Sequence, residues 1–261
     1  MIIIIFYMGG DYVLVSVEGL DGVGKTSVTN YLSSSLNMTI IEKPIKKLLY
    51  LDDEQSKKIT GKIYGRYSSN IQAMYYLMGF LSVLEDAKKD DILMDRGFLS
   101  TYYFSYNKEN SVLFDMFVMN YGVPDLTIVL YASVEERIKR IKNRNISDDD
   151  LKKKRLYVDG YDKYFEALKK YNMPYLLINN ENLLLEETLS LVLTLLELVL
   201  EKSENLDILK DLFSIENLFL NNQYSFQRIT ELISSRINSD VSINKTKVLK
   251  KGSDNNETIN Y

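Results

Sequence analysis

Short apolar runs alternate along the chain with longer segments whose apolar positions recur every three or four residues. The runs are 13–18 (VLVSVE), 39–42, 92–95, 126–131 and 175–178. Continuous apolar runs of this length predict strands buried on both faces, as in a parallel sheet. Helices are predicted at 25–36, at 98–120, at 133–144 and at 183–201. Another is predicted at 69–88, where Ile71, Met74, Tyr75, Met78, Leu81 and Leu84 form a stripe. The charged stretch 148–170 is expected to be helical. The polar segment 50–68, with Gly61 and Gly65, is expected to be irregular, and Pro44 to end the second strand. Alternating strands and helices predict an α/β fold of the P-loop NTPase kind: a five-stranded parallel sheet with helices on both faces.

The pattern changes near the end of the chain. Residues 1–203 read as one domain, 204–237 as a helical extension with two helices over 206–236, and 238–261 as a polar, disordered tail. At the other end, MIIIIFYM is apolar but too short to span a bilayer, and it lacks the basic start of a signal peptide. It reads either as an extra edge strand or as residues ahead of a start at Met8. No membrane attachment is expected, and the chain is expected in the cytoplasm.

A net charge of −4 and a pI near 5.2 give no basic face for duplex nucleic acid. The absence of cysteine excludes disulfides, thiolate nucleophiles and cysteine-bound zinc, and the absence of histidine removes the commonest general base. Acid–base and metal chemistry then falls to Asp, Glu, Lys and Tyr, an inventory that suits an oxygen-liganded cation such as magnesium.

The most specific motif is Gly19-Leu20-Asp21-Gly22-Val23-Gly24-Lys25-Thr26, a G-x-x-x-x-G-K-[ST] loop between a predicted strand and a predicted helix. Its glycines let the backbone curl so that successive N–H groups face phosphate oxygens, and the helix adds its positive end. Lys25 is expected to reach the β- and γ-phosphates of ATP and Thr26 to ligate Mg2+, with Ser27 completing the nucleotide-binding set. Asp21 reads either as a turn residue or as an acceptor for a sugar hydroxyl.

A second constellation is Asp95-Arg96, at the end of the third predicted strand. Asp95 can serve magnesium or the attacking hydroxyl, and Arg96 can grip an acceptor phosphate bidentately; a plain ion pair at a strand end is the bland alternative. Arg140 and Arg144 share a helix face and read as lid residues for the transferred group, or as a solvated basic face. Gln72 and Tyr76, on the long helix, are candidates for reading and stacking on a base, although aromatic residues there mostly build core.

Three segments resemble thymidylate kinases, within the wider family that includes deoxynucleoside kinases: VSVEGLDGVGKTSVTNYL at 15–32, DILMDRGFLSTYYF at 91–104 and PDLTIVLYASVEERIKRIKNR at 124–144. The resemblance spans residues 12–200. It implies that Lys25 and Thr26 hold ATP and magnesium and that Asp21 approaches a sugar 3′-hydroxyl. It implies that Asp95 sits at the reacting centre, that Arg96 binds the acceptor phosphate, and that Arg140 and Arg144 lie in a lid near 140–160. Val23 stands where some of these enzymes carry an arginine, so the catalytic arginine is expected from the lid. Glu42-Lys43-Pro44 replaces Arg-Glu-Pro, and Tyr75, Tyr76 and Gly79 occupy the neighbourhood of a thymine-contacting arginine. Gln72 looks like the base-reading glutamine of deoxynucleoside kinases. A homodimer is compatible with the resemblance.

The leading expectation is therefore transfer of the γ-phosphoryl group of Mg-ATP to a deoxynucleoside monophosphate, dTMP to dTDP. The alternative acceptor is a nucleoside 5′-hydroxyl deprotonated by Asp95 or Glu42. From another class, a non-catalytic nucleotide sensor remains; a guanine switch would need Asn-Lys-x-Asp, and Asn107-Lys108-Glu109-Asn110 ends in the wrong residue.

Overall fold

A computed structural model describes residues 12–181 and 183–200. The opening apolar run, the helices expected at 206–236 and the tail from 238 lie outside the described residues. The strands are β1 (Leu14–Glu18), β2 (Thr39–Ile41), β3 (Ile92–Asp95), β4 (Leu126–Tyr131) and β5 (Tyr175–Asn179). They form one parallel sheet in the order β2-β3-β1-β4-β5. Every residue of β1 and β3 is buried, as continuous apolar runs in a two-sided sheet should be. From β1 the chain first builds one side of the sheet and then crosses to build the other, which opens a crevice at the C-terminal ends of the central strands. Register aligns Val17 with Asp95 and Glu18 with Val129, so the first loop and the Asp95-Arg96 turn leave the sheet together.

The helices up to residue 184 are α1 (Lys25–Leu36), α2 (Pro44–Leu48), α3 (Asp53–Arg66), α4 (Ser69–Asp86), α5 (Phe98–Ser105), α6 (Ser111–Tyr121), α7 (Val134–Arg144) and α8 (Tyr161–Lys170). A further helix, α9 (Leu185–Leu200), belongs to a second compact unit that begins at Leu185. Among the described residues no helix is long and apolar enough to cross a membrane. Helix α5 runs through the core, with Phe98 packed edge-on to Phe114 and Tyr171 at ring distances of 6.0 and 5.3 Å.

Four expectations are corrected. Pro44 does not merely end β2; it opens α2, where its missing N–H costs nothing. Residues 53–66 are helical, because Asp52 and Gln55 form a capping box: the Gln55 amide donates to Asp52 Oδ1 at 2.7 Å and the Asp52 amide to Gln55 Oε1 at 3.1 Å. Those caps outweigh the roughly 1 kcal/mol that each glycine costs. The stretch 148–170 is only partly regular α-helix: two 3-10 turns, at Asp149–Lys152 and Lys154–Tyr157, precede α8. The face of α4 is also shifted. Ala73, Leu77, Phe80 and Val83 are buried together with Tyr75, whereas Ile71, Met74 and Met78 are exposed.

Candidate active site

The loop after β1 curls because its glycines can adopt positive φ: 90° at Gly22 and 93° at Gly24. It also packs tightly: a Cβ at Gly22 would stand 2.7 Å from the Arg137 carbonyl oxygen, and one at Gly19 2.6 Å from that of Leu130. Val23 is fully buried and anchors the loop. Lys25 begins α1, and its ammonium donates to the Leu20 carbonyl at 2.8 Å across the loop. Burial, and then repulsion from Arg96, pull Lys25 down to about 7. Thr26 and Ser27 stand exposed on the same first turn.

The second constellation meets the first. The Thr26 hydroxyl donates to Asp95 Oδ2 at 3.0 Å, while Asp95 Oδ1 is buried without a hydrogen-bond partner. One hydroxyl and one carboxylate with an idle oxygen fit magnesium, which takes few protein ligands and completes its shell from phosphate and water. Arg96 has φ 68°, in the left-handed region, and turns back to pair with Asp21. Its guanidinium also lies 3.5 Å from the Gly19 carbonyl and 3.4 Å from Ser100 Oγ. Burial pushes the Asp21 carboxyl up, but Arg96, Lys25 and Arg155 more than offset this and hold it below the usual range.

Behind Arg96 lies a cavity of about 560 Å³, room for a nucleotide-sized molecule. One wall is a stripe of α3, Ser56, Lys57, Thr60, Gly61 and Tyr64, which recurs at helical spacing. The lining also includes Tyr76, Phe104 and Thr101. Tyr76 faces Tyr64 and Thr60; burial first, then the Tyr64 hydroxyl, raises its phenol above the ordinary value. Arg96 lines this cavity and touches the loop, so one side chain belongs to both.

Not every expected residue joins the site. Gln72 does not line the cavity; its amide nitrogen donates to the Tyr67 carbonyl at 3.0 Å and ties down the start of α4. Arg140 is held by Glu136 at 2.9 Å and by the Asn180 carbonyl at 2.6 Å, and its guanidinium touches the loop only at the Val23 carbonyl, 3.5 Å away. Arg144 pairs with Asp148 and Asp150 and is largely exposed. Asp148 and Asp150 thus hold Arg144, while Glu136 and Asn180 together fix Arg140. Arg155 also reaches the loop: its guanidinium lies 3.3 Å from Asp21 Oδ2 and 4.9 Å from the centre of the Phe104 ring. The basic run 152–155 was its only signal in the sequence.

Glu18 was also missed. It ends β1 fully buried and accepts from the Gly97 amide at 2.7 Å and the Ser100 hydroxyl at 2.6 Å. Burial pushes its carboxyl up against these hydrogen bonds. An acid closing an apolar strand directly before the loop was the available clue.

With this geometry in place, comparison with known proteins is informative. A family model for thymidylate kinase matches residues 17–190. A Metallosphaera sedula protein named "Probable thymidylate kinase" is 25% identical over 196 residues, covering 73% of this chain and 95% of that protein. The structure of a deoxyadenosine kinase from M. mycoides superposes with a TM-score of 0.52 at 21% identity, covering 70% of this chain and 98% of that one. That of a thymidylate kinase from Candida albicans gives 0.54 at 16% identity, covering 71% and 91%. At these identities the two structures speak for the fold.

Proposed function

Since the chain belongs to the thymidylate kinase family, and so is an ATP-dependent phosphotransferase, we propose that its acceptor is a deoxynucleoside monophosphate, dTMP becoming dTDP. The observation that carries this reading is Arg96, whose guanidinium borders the phosphate loop and the cavity at once. Phosphoryl transfer needs donor and acceptor oxygens in line, with charge stabilised over the transferred group. Loop amides and Lys25 hold the donor phosphates. Thr26 and Asp95 would hold magnesium, which neutralises charge across the β- and γ-phosphates when bound. Arg96 grips the acceptor phosphate, and Asp21, kept ionised by its cationic neighbours, accepts from the sugar hydroxyl. Arg155 closes from the lid over the moving group, the role expected of Arg140 and Arg144. Tyr76, Thr60 and Tyr64 meet the base, the role expected of Gln72.

A second reading rests on Glu42, a carboxylate on the cavity wall that could deprotonate a nucleoside 5′-hydroxyl. One assay separates the two. The protein is incubated with Mg-ATP and either dTMP or thymidine, and the products are resolved. Formation of dTDP is expected; phosphorylation of thymidine but not of dTMP would reverse the assignment of acceptor.

A further inference from the structure

We propose that Glu18 is a positioning residue for the acceptor phosphate: it touches neither substrate, and it sets the turn that aims Arg96. This rests on reading Arg96 as the phosphate grip. A carboxylate at the buried end of a central strand is costly unless its oxygens are satisfied, since a buried charge carries a desolvation penalty of several kcal/mol. Four donors converge on it. The Gly97 amide donates at 2.7 Å and the Ser100 amide at 3.3 Å; the Ser100 hydroxyl donates at 2.6 Å and the Ser16 hydroxyl at 3.4 Å. Three of the four come from the residues that follow Arg96, across 79 to 82 positions of sequence.

The turn they secure is an uncommon one. Arg96 sits at φ 68°, a strained conformation that few side-chain-bearing residues adopt. It persists because the amides of two successive residues are tied to successive residues of β1: Arg96 N–H to the Val17 carbonyl at 3.1 Å, and Gly97 N–H to Glu18. The turn lies directly against the strand. A Cβ on Gly97 would come within 2.9 Å of Ser16 Oγ, so a larger residue there would press on that hydroxyl. Held in this way, the Arg96 side chain folds back over Gly19 toward Asp21. Without the carboxylate, the buried Gly97 amide loses its acceptor and the left-handed residue loses one of its two ties. Arg96 is then aimed less firmly, with the Val17 carbonyl and Asp21 left to hold it.

The test is a double-mutant cycle on the full chain: wild type, Glu18→Gln, Arg96→Ala and the double variant. KM for dTMP is measured at saturating Mg-ATP, and KM for ATP at saturating dTMP. Glutamine keeps an acceptor for the Gly97 amide but turns an NH2 toward the other donors. It should raise KM for dTMP roughly tenfold, as for a lost charge-assisted hydrogen bond, and leave KM for ATP within about twofold. Glu18→Ala should do worse, so that glutamine counts as partial rescue; if the alanine variant does not fold, the glutamine variant carries the test alone. In the Arg96→Ala background, Glu18→Gln should add less than about twofold, because the two residues act in series. Additive effects, or equal rises in both KM values, overturn the positioning role. Wild-type protein that phosphorylates no monophosphate overturns instead the reading of the site on which the role depends.

Discussion

Burial and Arg96 hold Lys25 at about 7 rather than 10.5, so without a bound anion it is only partly charged near neutral pH. Phosphate oxygens favour its charged form, so nucleotide binding takes up a proton wherever the free protein has lost one. Uptake should be small at pH 6 and approach about one proton at pH 8. Calorimetry of an ATP analogue in two buffers of different ionisation enthalpy measures it, and no uptake at pH 8 would count against a buried, loop-facing amine. For the same reason KM for ATP should climb as pH rises above 7. Removing the amine altogether, Lys25→Ala, should lower turnover by roughly a thousandfold, the scale of charge-stabilising groups at such centres. Asp21 behaves in the opposite sense: its cationic neighbours keep it ionised, ready to accept rather than donate.

At the scale of elements, one wall of the cavity beside Arg96 depends on a helix contact. Helix α2 lies against α4 at Gly79, where a Cβ would stand 2.8 Å from the Ile45 amide nitrogen. Gly79→Ala should therefore destabilise the protein by about 1–3 kcal/mol, as overpacking does, and move the Lys43–Pro44 wall. Chemical denaturation reads the first effect and KM for dTMP the second; an unchanged midpoint would show that α2 yields freely. On α3, Thr60→Val removes a hydroxyl from the cavity lining and, on the proposed placing of the base, should raise KM for dTMP by roughly fivefold to a hundredfold with KM for ATP unchanged, as measured by steady-state kinetics.

The same elements show what the sequence carried. The central strands and the phosphate loop were legible because a run of buried residues and a G-x-x-x-x-G-K-T spacing are local properties. Helix α3 was not, because Gly61 and Gly65 hid a helix whose stability begins at its cap. The surroundings of Arg140, Arg144 and Gln72 were not legible for another reason. Spacing gives a shared face, but whether a side chain is free depends on partners such as Asn180, Asp148 and the Tyr67 carbonyl. Arg155 reaches Asp21 across 134 positions, a distance that no periodicity encodes.

For the molecule as a whole, the loop and the cavity form one continuous receptor through Arg96. A ligand joining an adenosine polyphosphate to thymidine should therefore stabilise the protein strongly. At a hundred times its Kd the gain is about 2.7 kcal/mol, or roughly 5–10 °C in Tm for a chain of this size. Thermal denaturation with Arg96→Ala should shrink the shift given by dTMP alone and spare that given by an ATP analogue. Equal loss of both shifts would mean that the two halves are not separable. Helix α3 stands apart from this shared machinery. None of its fourteen residues is buried, yet it supplies a whole wall of the cavity beside Arg96. Exchanging its inward side chains disturbs no core packing, so on the proposed function the choice of base can be retuned there, by selection or by design, while the phosphate loop at the other end is left untouched.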